Sequence, residues 1–264
     1  MNKVGFIGVG NMGYAIIKGV SGNAENTEIY AYDKDAEKIK RVEELGAYSC
    51  TSEQNIVEKC KYVVLAVKPQ MFEEVLDLIA PVVTGDTVIV SIAAGITAEY
   101  IKRKTIPEAK VVLVMPNTPL LLGEGATAIA KAEPVTGEEF DFVRNIFSSC
   151  GETAVISADK MKEIISINGS SPAFIYLFAK GFIDYAKSAG IDEASAMRLF
   201  AKSLIGSAKM MTDSGYSIDE LIKMVSSPGG TTLAGLDELY KGRLTDVVDN
   251  ACRSCTKRAY ELSK

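Results

Sequence analysis

An α/β fold, with a doubly wound parallel sheet over residues 1–156 and an all-helical domain over residues 157–264, is predicted by three observations. Short runs rich in β-branched residues alternate with helical patterns to about residue 155. A Gly-x-Gly-x-x-Gly stands between the first such run and a helix, and helical spacing alone continues from Ala158. Val4-Gly5-Phe6-Ile7 reads as the opening strand, and Gly8 to Gly13 carry it into the first helix. Glu28 to Tyr32, Tyr62 to Val67, Thr87 to Val90 and Val111 to Val114 read as further strands, several apolar on both faces, as strands covered by helices on each side must be. Between them Phe72, Val75, Leu76 and Ile79 keep helical spacing up to Pro81. In the second half, Ile175, Phe178, Phe182 and Tyr185 mark one stripe of a helix opened by Pro172 and stopped by Gly190. A helix from about Asp192 to Met211 follows. Ser217 with Glu220 forms a capping box for a short helix to Val225, and helical patterns resume near Thr231 and Thr245. About a hundred residues of amphipathic helix cannot bury every apolar stripe alone, so a second copy of the chain is expected to cover part of them.

Composition narrows the chemistry. Twenty-nine basic and 34 acidic side chains give a net charge of -5, so no net positive field draws the chain to nucleic acid or anionic lipid, and a small-molecule substrate is the expected partner. No apolar stretch reaches the roughly 18 residues needed to span a bilayer, and the start runs straight into a strand rather than a signal peptide, so a cytoplasmic location is expected. Five cysteines, an odd number, read as reduced thiols. Cys252 and Cys255 form a C-x-x-C inside a helical stretch, but no second pair and no histidine complete a metal set, so no metal is expected. The absence of histidine also removes every His-based triad. Catalysis falls to a bound cofactor, or to Lys, Tyr, Ser, Thr or carboxylates.

Five segments and the single residue Asp33 supply candidate sites. Gly8-Val9-Gly10-Asn11-Met12-Gly13 sits where a strand turns into a helix: Gly8 permits the turn, Gly10 lets backbone approach a pyrophosphate, and Gly13 lets helix pack on strand. Asp33, 20 residues past Gly13, stands where a carboxylate takes the adenosine ribose hydroxyls of NAD, with a solvated turn residue as the alternative; Lys34, Lys38 and Lys40 lie nearby. Ala66-Val67-Lys68-Pro69 and Ser91-Ile92-Ala93-Ala94-Gly95 end strands at the sheet's carboxyl edge, where small residues admit a nicotinamide ring and Lys68 can face a phosphate or ribose. Ser226-Ser227-Pro228-Gly229-Gly230-Thr231-Thr232 enters a helix with backbone N–H groups able to cradle a carboxylate and with hydroxyls of Ser227, Thr231 and Thr232 as further donors; a helix cap is the plainer alternative. Gly169-Ser170-Ser171-Pro172-Ala173 is a second hydroxyl-and-proline stretch at a helix break.

The strings GFIGVGNMG, LAVKPQ, VSIAAGIT, MPNTP, GSSPAF and SSPGGTT, in this order from about Lys3 to the last helix, resemble the pyrroline-5-carboxylate reductases. The resemblance implies an N-terminal Rossmann domain, a helical dimerisation domain with dimers arranged into a larger ring, and NADPH- or NADH-dependent reduction of (S)-1-pyrroline-5-carboxylate to L-proline, the last step of proline biosynthesis. It implies that Ile7, Gly8, Val9, Gly10, Asn11 and Met12 hold the pyrophosphate, Val67 and Lys68 the ribose region beside Pro69, and Ala93 and Ala94 the nicotinamide side. Ser227, Gly229, Gly230, Thr231 and Thr232 would grip the substrate carboxylate, with the Thr232 hydroxyl near the ring nitrogen as the catalytic group. Members that favour NADPH often carry Ser or Arg where this chain carries Asp33, which leaves the choice of nucleotide open. Two other readings share the fold: a hydroxyacid dehydrogenase using Lys160 or Lys162 as acid and base, and a non-catalytic dinucleotide sensor.

Overall fold

The computed structural model describes residues 1–23 and 27–263. Its first strands and helices are β1 (Asn2–Ile7), α1 (Asn11–Asn23), β2 (Thr27–Tyr32), α2 (Ala36–Glu43), β3 (Tyr48–Ser49), α3 (Glu53–Lys59) and β4 (Tyr62–Leu65). They continue as α4 (Phe72–Ile79), β5 (Val88–Ser91), α5 (Ala98–Lys104), β6 (Lys110–Met115), β7 (Gly125–Ala132), α6 (Gly137–Ser148) and β8 (Gly151–Val155). Among the described residues the strands form one sheet in the order β3-β2-β1-β4-β5-β6-β7-β8. The chain moves outward from β1 to β3 and then returns to place β4 on the other side of β1. That reversal opens a crevice at the carboxyl ends of β1 and β4, where open sheets of this kind bind ligands.

Alternation along each strand explains why these runs are apolar throughout. Val63, Leu65, Ile89, Val111 and Leu113 point to the face covered by α3, α4 and α5, where Ile56, Phe72, Leu76, Ile79 and Ile101 are buried. Val64, Val88, Val90, Val112 and Val114 point to the opposite face, beneath Ile16, Ile17 and Val20 of α1 and Phe140, Val143 and Phe147 of α6. The helix expected from Phe72, Val75, Leu76 and Ile79 is α4, with all four buried and Pro81 in the 3₁₀ turn that follows.

The sheet departs from an all-parallel one at a single pairing: β7 runs antiparallel to β6, and β8 parallel to β7. The connection from β6 to β7 spans only residues 116–124 and holds a 3₁₀ turn ended by Gly123 at φ 76°. It is too short for a helical crossover of a dozen or more residues, so the chain turns back. The strand patterns above do not include β3, β7 or β8. The segment Gly125–Ala132, with sequence GATAIAKA, is built largely of Ala and Gly, which are depleted in strands, and pairing on both sides holds it extended.

At the amino-terminal edge of the sheet Glu139 is nearly fully buried and accepts hydrogen bonds from Lys110 Nζ at 2.8 Å and Lys61 Nζ at 2.9 Å, while closing a capping box with Thr136. Burial pushes its carboxyl up, but the two ammonium groups and the Thr136 N–H outweigh burial and hold it at about 2. Because the folded value lies below the unfolded value of 4.5, the stabilisation is complete above pH 4.5 and disappears as pH falls through 2. Glu139→Gln is therefore expected to unfold in urea with about 2 kcal/mol less stability at pH 7, a figure already discounted for solvent screening at Lys61. The difference from the parent should shrink towards zero between pH 4.5 and 2. Equal stability at pH 7 would show that the triad contributes nothing.

The chain divides into two compact units, Met1–Pro172 with Arg253–Lys264, and Ala173–Cys252. Beyond β8 the described residues contain helices only: α7 (Ser171–Ser188), α8 (Glu193–Asp213), α9 (Ile218–Met224), α10 (Thr231–Lys241) and α11 (Leu244–Glu261). The Ser217–Glu220 capping box is present at α9. Phe182 of α7 stacks on Phe200 of α8 at 4.3 Å between centroids, with Phe178 edge-on to Phe182. Among the described apolar side chains of the second unit only Ile183 and Ala186 are buried; Tyr176, Leu177, Tyr185, Leu199 and Ile205 are among many left exposed by a single copy. Cys252 and Cys255 sit on α11 as free thiols, as the helical spacing around them suggests.

Candidate dinucleotide cleft and hydroxyl turn

The glycine loop is built by two close approaches. Gly8 adopts φ 91° and donates its N–H to the Tyr32 carbonyl at 2.8 Å. A Cβ on Gly13 would lie 2.4 Å from the Gly8 carbonyl oxygen, so only glycine lets α1 start this close to the end of β1. Gly10 differs: nothing lies within 4 Å of the position its Cβ would occupy. Its backbone faces open space at the start of a 13-residue helix with no carboxylate in its first turn. The leading N–H groups of α1, which have no partner within the helix, and its positive end face an anion, and the cradle fits the pyrophosphate of a dinucleotide.

Asp33 does more than end β2. Its Oδ2 accepts the Val9 N–H at 2.9 Å and its Oδ1 accepts the Asp35 N–H at 2.9 Å, with Lys38 Nζ 3.6 Å away. The carboxylate therefore braces the glycine loop from the neighbouring strand. Ile7, Gly8, Asp33 and Val67 come together around a small cavity of about 60 Å³, joined by Lys34 and Glu53. Lys34 is engaged by Glu74 at 2.7 Å, a hydrogen bond that raises the lysine pKa. Lys68 is exposed at the start of the 3₁₀ turn that Pro69 opens.

Ala93 lines a larger cavity of about 540 Å³ at the carboxyl ends of β5 and β6, with Ser91, Leu113, Met115, Met161 and Tyr260; Ala94 is exposed beside it. Ser91 Oγ is buried without a hydrogen-bond partner. Tyr260 donates its hydroxyl to Glu163 Oε1 at 2.9 Å, which raises the phenol pKa, and carries the Lys162 ammonium over its ring at 4.4 Å. Lys160 pairs with Asp159 on the surface. Both lysines that a hydroxyacid dehydrogenase would need are thus engaged locally.

A buried amide pair fixes the loop after β6. Asn117 donates to the Asn168 carbonyl at 3.2 Å and accepts the Ala126 N–H at 2.9 Å, while Asn168 donates to the carbonyls of Met115 and Ala126. Asn168 lies in a π-type turn, Ile165–Gly169, directly before the hydroxyl-and-proline stretch at Ser170 to Pro172. No periodic pattern marks Glu53, Met161, Asn168 or Tyr260; MPNTP, which holds Asn117, and GSSPAF, which follows Asn168, are the sequence signals near the amide pair.

Ser227, Gly229 and Gly230 lie in the turn between α9 and α10, and Thr231 and Thr232 open α10, all in the second unit. Gly229 adopts φ 72°, and the Gly230 N–H donates to the Ser227 carbonyl at 2.9 Å. Gly230 is the cap residue of α10, and no side chain caps the helix. The hydroxyl side chains here are accordingly not spent as caps, unlike Ser226, whose Oγ donates back to Ile222 in α9. Ser227, Thr231 and Thr232 are exposed next to the uncapped N–H groups of an 11-residue helix, a donor set suited to a carboxylate.

Comparison with known proteins places both halves. Residues 158–262 match the family described as pyrroline-5-carboxylate reductase dimerisation, and residues 3–95 the family described as NADP oxidoreductase coenzyme F420-dependent. The chain is 34% identical to the pyrroline-5-carboxylate reductase of Escherichia coli over 99% of this chain and 98% of that one. Among solved structures, the pyrroline-5-carboxylate reductase of Coxiella burnetii superposes with a TM-score of 0.92 at 28% identity, covering 99% of this chain and 98% of that one. The pyrroline carboxylate reductase of Plasmodium falciparum with NADP bound superposes with a TM-score of 0.88 at 29% identity, covering 100% and 98%.

Proposed function

The chain belongs to the pyrroline-5-carboxylate reductase family, and from that premise we propose how its own residues carry the family reaction. The enzyme reduces (S)-1-pyrroline-5-carboxylate to L-proline with NADPH or NADH, as a homo-oligomer built on the helical dimerisation domain. The dihydronicotinamide, when bound, supplies a hydride to the imine carbon. The observation that carries the reading is the open backbone at Gly10 over the start of α1, whose first turn holds no carboxylate, a ready seat for the pyrophosphate.

Gly8, Val9, Gly10, Asn11, Met12 and Gly13 hold the pyrophosphate, with Asp33 fixing the loop through Val9. Ile7, Val67, Lys68 and Pro69 flank the ribose region, and Ala93 and Ala94 leave room for the nicotinamide beside the larger cavity. The hydroxyls of Ser227 and Thr231 and the N–H groups around Gly229 and Gly230 bind the substrate carboxylate through charge-assisted hydrogen bonds. Thr232 donates a hydrogen bond to the ring nitrogen and passes on to it the one proton the product amine needs, taken in turn from a water behind the hydroxyl. These residues bind, orient and exclude water, and no strong side-chain base is required. Purified protein mixed with the imine and either dinucleotide should consume the reduced cofactor, followed by its absorbance. A hydroxy acid oxidised with NAD in place of that activity would return the reading to the dehydrogenase alternative.

The exposed apolar stripes of α7 and α8 support dimers assembled into a larger ring, and a sedimentation mass no greater than a dimer would count against the ring. The five free cysteines fit a reducing, cytoplasmic setting, and no helix among the described residues is long and apolar enough to cross a membrane.

A further inference from the structure

We infer that this enzyme selects NADH over NADPH, and that Glu53 shares that selection with Asp33. The inference rests on the assignment of the small cavity beside Gly8 to the adenosine ribose. Asp33 and Glu53, 20 residues apart in sequence, line that cavity together. Glu53 is the first residue of α3, behind the Ser52 cap, and only 6% exposed, so it does not look out to solvent. Its place in the first helical turn suits a negative charge.

The Asp33 carboxylate cannot be moved aside cheaply. Asp33 holds the Val9 N–H with one oxygen and the Asp35 N–H with the other, and Val9 is buried, so turning Asp33 outward would strand a buried donor. A ribose 2′-hydroxyl can donate to either carboxylate. A 2′-phosphate, with a charge of about -1.5 to -2, can only be repelled by both.

The nearby cations do not reverse that balance. Lys34 is held by Glu74 at 2.7 Å, and Lys38 lies 3.6 Å from both Asp33 and Asp35. The charged groups lining the cavity are Asp33 and Glu53 against Lys34; their ion-pair partners add Asp35 and Glu74 against Lys38, and Lys68, beside the lining residue Val67, is exposed to solvent. The repulsive element is built into the wall, as discrimination between two ligands of otherwise equal shape requires.

The test is calorimetric titration of the full-length enzyme with NADH, NADPH, 5′-AMP and adenosine 2′,5′-bisphosphate, together with kcat/KM for both dinucleotides. The parent should favour NADH over NADPH, and 5′-AMP over the bisphosphate, by on the order of 100-fold. Glu53→Gln, which keeps shape and loses charge, should cut that ratio about tenfold, and Asp33→Ser with Glu53→Gln should bring it near unity. Equal or tighter binding of NADPH by the parent, or a ratio unmoved by Glu53→Gln, overturns the inference. Failure to bind either dinucleotide would overturn the ribose assignment beneath it and the selectivity with it. Should Asp33→Ser unfold the glycine loop, Glu53→Gln alone still decides the matter, because the Val9 and Asp35 N–H groups are held by Asp33.

Discussion

Gly10→Val should bind both NADH and NADPH at least ~100-fold more weakly than the parent while melting at an unchanged temperature. The expectation comes from an asymmetry within the glycine loop. Nothing lies within 4 Å of the Cβ position at Gly10, and its backbone is not in the left-handed region, so valine adds no clash to the folded protein. The same side chain would fill the space over the start of α1 that a pyrophosphate needs. Charge-assisted hydrogen bonds are each worth about 1.5–3 kcal/mol, so losing two of them already exceeds a hundredfold. Gly13→Ala is the control with the opposite signature: its Cβ would meet the Gly8 carbonyl oxygen at 2.4 Å, and the cost should appear as a lowered melting temperature. Fluorescence or calorimetric titration separates the two. Undiminished cofactor binding by Gly10→Val would mean that the dinucleotide does not approach this loop.

The second large effect is placed at Thr232. Thr232→Ala should reduce kcat on the order of 100-fold or more, in the range seen when a single donor to the reacting group is removed. Cofactor affinity should stay at the parent value, since Thr232 and the glycine loop belong to different units of the chain. Thr232→Ser should recover most of the loss, because the hydroxyl rather than the methyl does the chemistry. The residue is exposed and its side chain caps no helix, so the substitution carries little structural cost and a kinetic defect can be read as such. Unchanged turnover would remove Thr232 from the reaction and leave proton delivery to the substrate's own iminium form.

Asp33 shows how far sequence reading reached and where it stopped. Its distance from Gly13 marked it as a ribose residue, a signal carried by spacing alone. That its two oxygens are committed to Val9 and Asp35 depends on how β2 lies beside β1, which spacing does not encode. Glu53 left no mark in the sequence, since an acidic residue after a capping serine is the ordinary start of a helix. It meets Asp33 only because α3 packs beneath β1 and β2.

Local signals therefore determined the strands from β1 to β6 apart from β3, the glycine turn, α4, the capping box at α9 and the run of helices after residue 157. Each depends on residues within a few positions of one another, where periodicity and backbone preference act directly. The tertiary structure alone decided that β7 runs back along β6, that Ala-rich and short segments pair as strands, that Asn168 clamps the loop after β6, and that Tyr260 from the end of the chain closes the cavity beside Ala93. These features join residues far apart in sequence. What fixes them is the packing of whole elements and the need to satisfy buried polar groups, and neither leaves a periodic trace.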